Sequence, residues 1–176
     1  MLGVKRYKVT LSLHDDNWEN EYEIAKNEIM ALFSENIVEI CHVGSTTIKG
    51  IVAKPILDIA VVIKNTEELN ISGMETIGYE FCGEAGVPGR YLFVRRVNGD
   101  ISTHHIHCYP ENHENYRTTV LFCNFLNKNY EYAQQYNDLK IKLSEKYSDD
   151  RNAYTEAKAD FINNIISLAQ GIDATT

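Results

Sequence analysis

The chain has 176 residues, 44% apolar and 24% charged, the composition of an ordinary folded domain, which excludes a disordered or low-complexity segment. Seventeen basic residues against 25 acidic ones leave a net charge of −8, which argues against a nucleic-acid partner but is compatible with a local basic site for one nucleotide. No apolar run approaches the roughly 18 residues that a membrane span needs, and the start MLGVKRYKVTLSLHDD lacks a signal-peptide pattern, so the expectation is a cytoplasmic protein with no membrane partner.

Three prolines, no Gly/Ser-rich stretch and no internal repeat leave nothing to mark a linker. Residues 1–170 are expected to form one domain and 171–176 a loose tail. Trp18, Tyr22, Ala25, Ile29 and Leu32 fall on one stripe of a helix over 16–34, opened by Asp16 with Glu19 in capping-box spacing. NIVEICHV (36–43) and ILDIAVVI (56–63) predict strands, the second apolar on both faces as a central strand is. Thr66 to Ile77 predicts a short helix closed by Gly78. A strand near 79–83 precedes YLFVRRV (91–97) and ISTHHIHCY (101–109), which flank the hairpin signal Asn98-Gly99.

After Pro110 the pattern is helical: Tyr116/Val120/Cys123, then Tyr132/Tyr136/Leu139/Leu143/Tyr147, then Tyr154/Ala157/Phe161/Ile165/Leu168. This order predicts an α+β (mixed α/β) fold, a mixed sheet with helices packed on it and a helical C-terminal part, and excludes a regular βαβαβ dinucleotide fold. The four cysteines contain no CxxC pair and stand in apolar settings, as reduced core thiols do.

Chemistry concentrates between and beside the central strands. Asp58 lies inside a strand of Ile, Leu and Val, where a carboxylate costs several kcal/mol unless it is paired, hydrogen-bonded or metal-bound. Alternation puts it on the face of Ile56, Ala60 and Val62; a salt bridge to Lys54 or Arg90, or a ligand or catalytic role, would compensate it. The Gly44-Ser45 turn offers amides and a hydroxyl to a phosphate, although such a turn is commonly just a turn. His105 and His107 share a strand face and can share a metal or a phosphate, or stand solvated on an outer face, whereas His104 falls on the Ile106 side as a structural residue. Glu84 and Arg90 stand in one glycine-rich loop, and Tyr154 and Lys158 at i,i+4 on one helix; each pair suits a phosphate or metal contact or a solvated surface.

The segments HVGSTTIKGIVAKPILDIAV, GYEFCGEAGVPGRYLF, THHIHCY and AYTEAKADFI, in order over about residues 8–168, resemble the GrpB family, also found fused behind dephospho-coenzyme A kinase. The resemblance implies a nucleotidyltransferase-like fold, whose hallmark is a Gly-Ser turn followed by a strand bearing Asp-hydrophobic-Asp/Glu. Gly44, Ser45 and Asp58 match it, but the second carboxylate position is Ala60, which removes the usual pair that holds two metal ions.

A different metal site, Asp58 with Glu84, His105 and His107, is the expected replacement. The expected function is metal-assisted nucleotidyl or phosphoryl transfer on a small phosphate-containing molecule, with a nucleoside triphosphate as substrate and Mg²⁺, Mn²⁺ or Zn²⁺ as the ion. Asp58, Glu84 and Lys54 would be catalytic, Asp58, His105 and His107 metal ligands, and Gly44, Ser45, Arg90, Tyr154 and Lys158 phosphate or nucleotide contacts. The alternatives are a non-catalytic nucleotide- or metabolite-binding module, favoured if no second acid reaches Asp58, and a metal-dependent hydrolase using Asp58, His105 and His107.

Overall fold

The computed structural model describes residues 2–173. Strands β1 (Val4–Lys5), β2 (Ile37–Val43), β3 (Leu57–Ile63), β4 (Tyr79–Phe81), β5 (Tyr91–Val97) and β6 (Ile101–Pro110) form one mixed sheet. Its order is β2-β3-β6-β5-β4, with β1 beside the start of β6. Strands β3 and β6 run parallel at the centre, and the other pairings are antiparallel.

The alternation along β3 sorts the core into two halves. Leu57, Ile59, Val61 and Ile63 pack under helices α1 (Asn17–Phe33) and α2 (Ile71–Thr76) with Trp18, Tyr22, Ala25, Ile29 and Met74. Ala60 and Val62 face the second half, built from α3 (Glu114–Lys128), α4 (Tyr130–Lys146) and α6 (Ala159–Asp173) with Phe122, Tyr136 and Ile165. Each aliphatic side chain fully buried in this way contributes ~1.5–3 kcal/mol, which holds β3 in register while it carries one carboxylate. Asn98 and Gly99 both take positive φ, 52° and 80°, and join β5 to β6.

Several boundaries differ from the pattern expected. Asp16 precedes α1 without a side-chain cap, since its own backbone is already helical, and Asp15 Oδ1 accepts from the Asn17 amide instead. The helix expected over 66–77 is a 3-10 turn, Thr66–Glu68, followed by α2, because Asn65 and Asn70 each cap a separate start with their side chains. The strand near 79–83 ends at Phe81, and backbone bonds from the Cys82 amide and to the Gly83 carbonyl still tie the chain to Leu92 of β5.

The last stripe is divided: α5 (Arg151–Glu156) ends at a turn before α6, so Tyr154 and Lys158 are not on one helix. Leu168 is exposed and Ala169 takes the buried place. Gly171–Asp173 continue α6, so that part of the expected tail is helical, and residues 174–176 lie outside the described residues. All four cysteines are free, Cys108 and Cys123 buried and Cys41 and Cys82 half-buried. No helix among the described residues is long and apolar enough to cross a membrane.

Candidate functional site

The registers of the two central strands assemble the site. Asp58 pairs with Val43 on β2 and with His105 on β6, and two residues further Ala60 pairs with His107. Cross-strand partners share a face, so Asp58, His105 and His107 converge, and an imidazole stands across from the alanine that replaces the expected second carboxylate. His105 Nδ1 lies 3.1 Å and His107 Nε2 3.0 Å from the same Asp58 oxygen, Oδ1. The three donor atoms are all within 4.8 Å of one another. Burial works to raise the Asp58 carboxyl, but the hydrogen bonds from the two histidines outweigh it and hold the group well below the usual carboxylate range.

The outer nitrogens of both rings face arginines. Arg151 Nη2 is 3.4 Å from His105 Nε2, and Arg90 Nη1 is 3.4 Å from His107 Nδ1. A guanidinium only donates, so each outer nitrogen accepts, and in the neutral ring the hydrogen lies on the inner nitrogen and is donated to Asp58. Burial pulls the His105 ring below its ordinary value, against the opposing pull of Asp58, which favours that neutral form.

The Gly44-Ser45 turn closes over Asp58. Gly44 has φ 77° and ψ −173°, and a Cβ there would stand 2.7 Å from Asp58 Oδ2, so both backbone shape and close approach require glycine. Ser45, Lys54, Asp58, His105, Arg151 and Tyr154 line a cleft of about 200 Å³. A second depression of about 360 Å³ adjoins it through Ser45 and Asp58, with Phe122, Tyr136 and Ile162 on its apolar side. A third, about 260 Å³, reaches Asp58 from the side of Arg90, His107 and Tyr109.

Lys54 and Arg151 line the first cleft, and two buried lysines pack behind it and its neighbour. Lys54 Nζ lies 5.4 Å and Lys158 Nζ 4.5 Å from the centre of the Tyr154 ring, and Lys140 Nζ lies 4.7 Å from that of Tyr136 while donating to the Val52 carbonyl. Burial, reinforced by the neighbouring cations Arg151 and Lys158, pulls Lys54 down to about 7. Burial with Lys158 and Lys54 nearby takes Lys140 to about 7, and burial takes Lys158 to about 8 against the attraction of Asp58.

Of the residues singled out in the sequence, Gly44, Ser45, Lys54, Asp58, His105, His107, Arg90, Tyr154 and Lys158 gather around these depressions. Asp58 is compensated by histidines, since among the described residues its ion pairs are with His105 and His107 and not with Lys54 or Arg90. Glu84 does not join them: its Oε1 accepts from the Gly89 amide, and Arg90 donates to the Glu84 and Ala85 carbonyls, which folds the glycine-rich loop on itself. His104 is buried, bonded to Thr103 Oγ1 and edge-on to Tyr79. Arg151 and Lys140 were not anticipated. A lysine four residues after Tyr136 on a buried stripe was the available signal for Lys140, and Arg151, three residues before Tyr154, shares its helix face.

The family model for GrpB protein matches residues 8–168. The chain is similar to the glutamate-rich protein GrpB of Alkalihalophilus pseudofirmus, 31% identical over 172 residues that make up 95% of this chain and 99% of that one. It is also similar to UPF0157 protein YqkA of Bacillus subtilis, 30% identical over 88% of this chain and 45% of that longer protein. The crystal structure of conserved protein GrpB from Enterococcus faecalis superposes with a TM-score of 0.84 at 29% identity, covering 91% of this chain and 96% of that one. A more distant likeness, to the Cid1 poly(U) polymerase with Mg 3'-dATP bound, has a TM-score of 0.55 at 12% identity over 84% of this chain and 49% of that one, and shows a shared nucleotidyltransferase-type fold alone. The matched span contains the Gly44 turn, both central strands and the helices that bring in the cations, and with it the chain belongs to the GrpB family.

Proposed function

We propose that the protein binds a nucleotide-like, phosphate-bearing small molecule together with one divalent ion, at Asp58. The observation that carries this reading is a group of four cations, half-buried Lys54 and Arg151 lining the first cleft and buried Lys158 and Lys140 packed on Tyr154 and Tyr136, beside a single carboxylate in a chain of net charge −8. Buried cations without an anion are unfavourable, and a polyphosphate supplies the missing charge. The first cleft suits phosphate groups, and the adjoining depression beside Phe122 and Tyr136 suits a base.

The donor set fits one ion. Asp58, His105 and His107 would hold it, and it would supply Lewis-acid polarisation of a phosphoryl oxygen. The inner ring nitrogens must then present lone pairs, which moves each ring hydrogen to the outer nitrogen, now facing an arginine that cannot accept it. A phosphate that draws Arg90 and Arg151 to itself removes that conflict and accepts the outer N–H groups. Anion and ion therefore bind in support of each other.

Neither Glu84 nor another described acid joins Asp58 in a metal-binding group, which favours binding or one-ion chemistry over two-ion transfer. Nucleotidyl or phosphoryl transfer is the second reading, supported by His107 standing across from Ala60, where the absent carboxylate belongs. Cid1, described with bound Mg and nucleotides, makes triphosphates the first ligands to try. The test is thermal denaturation with nucleoside triphosphates and coenzyme A precursors, with and without Mg²⁺, Mn²⁺ or Zn²⁺, in the wild type, Asp58→Asn and His105→Ala. A ligand at about 100 times its dissociation constant stabilises by ~2.7 kcal/mol. The expected shift requires anion and metal together and is lost in Asp58→Asn; a shift independent of Asp58 would overturn the reading. Product analysis on the shifting ligand separates binding from turnover.

A further inference from the structure

The first cleft and the depression of about 260 Å³ on the His107 side of Asp58 have that aspartate alone in common among their lining residues. His105 and Arg151 border the first. His107 and Arg90 border the second, with Val87, Tyr109 and Thr119 around them. Each imidazole therefore has its own arginine on its own side of Asp58.

The glycine-rich loop is folded around Arg90. Nε and Nη2 donate to the Glu84 carbonyl at 3.2 and 3.0 Å, and Nη2 donates to the Ala85 carbonyl at 2.8 Å. One edge of the guanidinium is thereby fixed, and Nη1 is left toward His107, 3.4 Å from its Nδ1. Ala85 takes φ 46°, in the left-handed region that a side chain resists, and the loop tolerates it while its carbonyl holds the guanidinium. His113 fastens the loop to the start of α3. Its Nδ1 accepts from the Asn115 amide at 3.2 Å, which puts the ring hydrogen on Nε2, and Nε2 donates to the Pro88 carbonyl at 2.9 Å.

This framework positions a charge that no side chain neutralises. Carbonyls satisfy hydrogens but carry no net charge, and the two acids beside Arg90 are engaged elsewhere: Glu84 Oε1 accepts from the Gly89 amide at 2.6 Å, and Asp58 accepts from both histidines. Among the described residues no ion pair includes Arg90. A half-buried guanidinium without a counter-charge is unfavourable, and one held rigid along a single edge is suited to an anionic oxygen at the other. Burial raises the Tyr109 hydroxyl although Arg90 pulls the other way, so it stays protonated and is a second donor in the same depression. The volume lies below the ~300–1,000 Å³ of ordinary ligand pockets, which limits the occupant to a small molecule.

We propose that this depression binds a second ligand, a small carboxylate or phosphate ester whose anionic oxygens meet Arg90 Nη1 and the Tyr109 hydroxyl, while the nucleotide-like ligand occupies the first cleft. The proposal rests on the function proposed above only in naming that neighbour, because Arg90 and Tyr109 can hold the second anion without it. Both ligands adjoin Asp58, as two substrates that meet at one ion must.

The experiment is isothermal titration of the full chain with inorganic phosphate, repeated with succinate to separate the two anionic groups. Two phosphate equivalents are expected in the wild type. Arg151→Gln should remove one and leave the other, and Arg90→Gln should remove the one that Arg151→Gln leaves. Tyr109→Phe keeps the ring and spares the loop, and it should weaken the same equivalent about tenfold or more, the usual worth of a hydrogen bond to a charged group. Succinate that displaces this equivalent assigns a carboxylate; failure to displace it assigns a phosphate ester. A single equivalent, lost in Arg151→Gln and untouched by Arg90→Gln and Tyr109→Phe, would overturn the proposal and leave the reading of the first cleft standing. A single equivalent with the reverse sensitivity would uphold the second site and overturn the first. No binding of either probe by the wild type would also overturn the proposal.

Discussion

The Asp58 cleft and a pocket on the opposite face of the sheet, lined by His14, Asp16, Glu19 and His42 among others, contain the same kinds of side chain, two histidines beside carboxylate. They differ in what stands behind the imidazoles. Arginines behind His105 and His107 force the ring hydrogens inward, onto Asp58, whereas a threonine hydroxyl behind His42 leaves its inner nitrogen free to present a lone pair. Residue type alone does not make a metal site: among the described residues only Asp58, His105 and His107 bring three possible ligand atoms within 4.8 Å of one another.

The largest test of this contrast is Gly44→Ala. Its backbone lies in a region open essentially to glycine, and the new Cβ would meet Asp58 Oδ2 at 2.7 Å, so urea unfolding should show a loss of roughly 2–6 kcal/mol. The phosphate response at Asp58 should disappear as well. If the phosphate response survives in a folded Gly44→Ala variant, the turn is not part of the anion site.

The cation group gives the next effect. Lys140 is held down to about 7 by burial, so between about pH 7 and its ordinary value the unfolded chain binds a proton that the native one does not. Stability therefore rises with pH across that window, by up to ~1.4 kcal/mol per unit for one lysine, and is at its lowest plateau below it. Lys140→Met should flatten the slope in denaturant titrations between pH 7 and 10. An unchanged slope would mean that Lys140 is not the group under strain.

A smaller change is expected from replacing Arg90 and Arg151 together by glutamine, whose amide oxygen can accept the outer ring hydrogens. In phosphate-free buffer, Mn²⁺ affinity at Asp58 should rise about tenfold, and added phosphate should no longer enhance it. If calorimetry shows that affinity falls, the arginines are not what restrains the ion. Smallest is proton uptake: at pH 8 Lys54, near 7, is largely neutral and Lys158, near 8, is half charged. An anion raises both, so phosphate binding should take up about one proton in buffers of different ionisation enthalpy, and affinity should fall as pH rises above that range.

Legibility followed the range of the physics. Asp58 stood out because a carboxylate among Ile, Leu and Val must be compensated, and His105 and His107 because period-2 alternation puts them on one face. Asn98-Gly99 marked its hairpin through a local need for positive φ. Glu84 was expected beside Asp58, but loop residues obey no periodicity, and its contact with the Gly89 amide depends on how the loop closes. The single helix expected to hold Tyr154 and Lys158 is divided, yet both stay together because the turn after α5 returns Lys158 over the ring.

By itself the sequence determined the two-sided core, the order of strands and helices, and the face on which Asp58, His105 and His107 lie, because these follow from the repeat of strand and helix and from the cost of burying charge. The tertiary structure alone decided that the histidines would be backed by Arg90 and Arg151, that Lys54 and Arg151 would line one cleft with Lys158 behind its Tyr154 wall, and that His42 would look toward Glu19. Each of these joins residues distant in the chain through packing and register, and no local propensity records a contact of that kind.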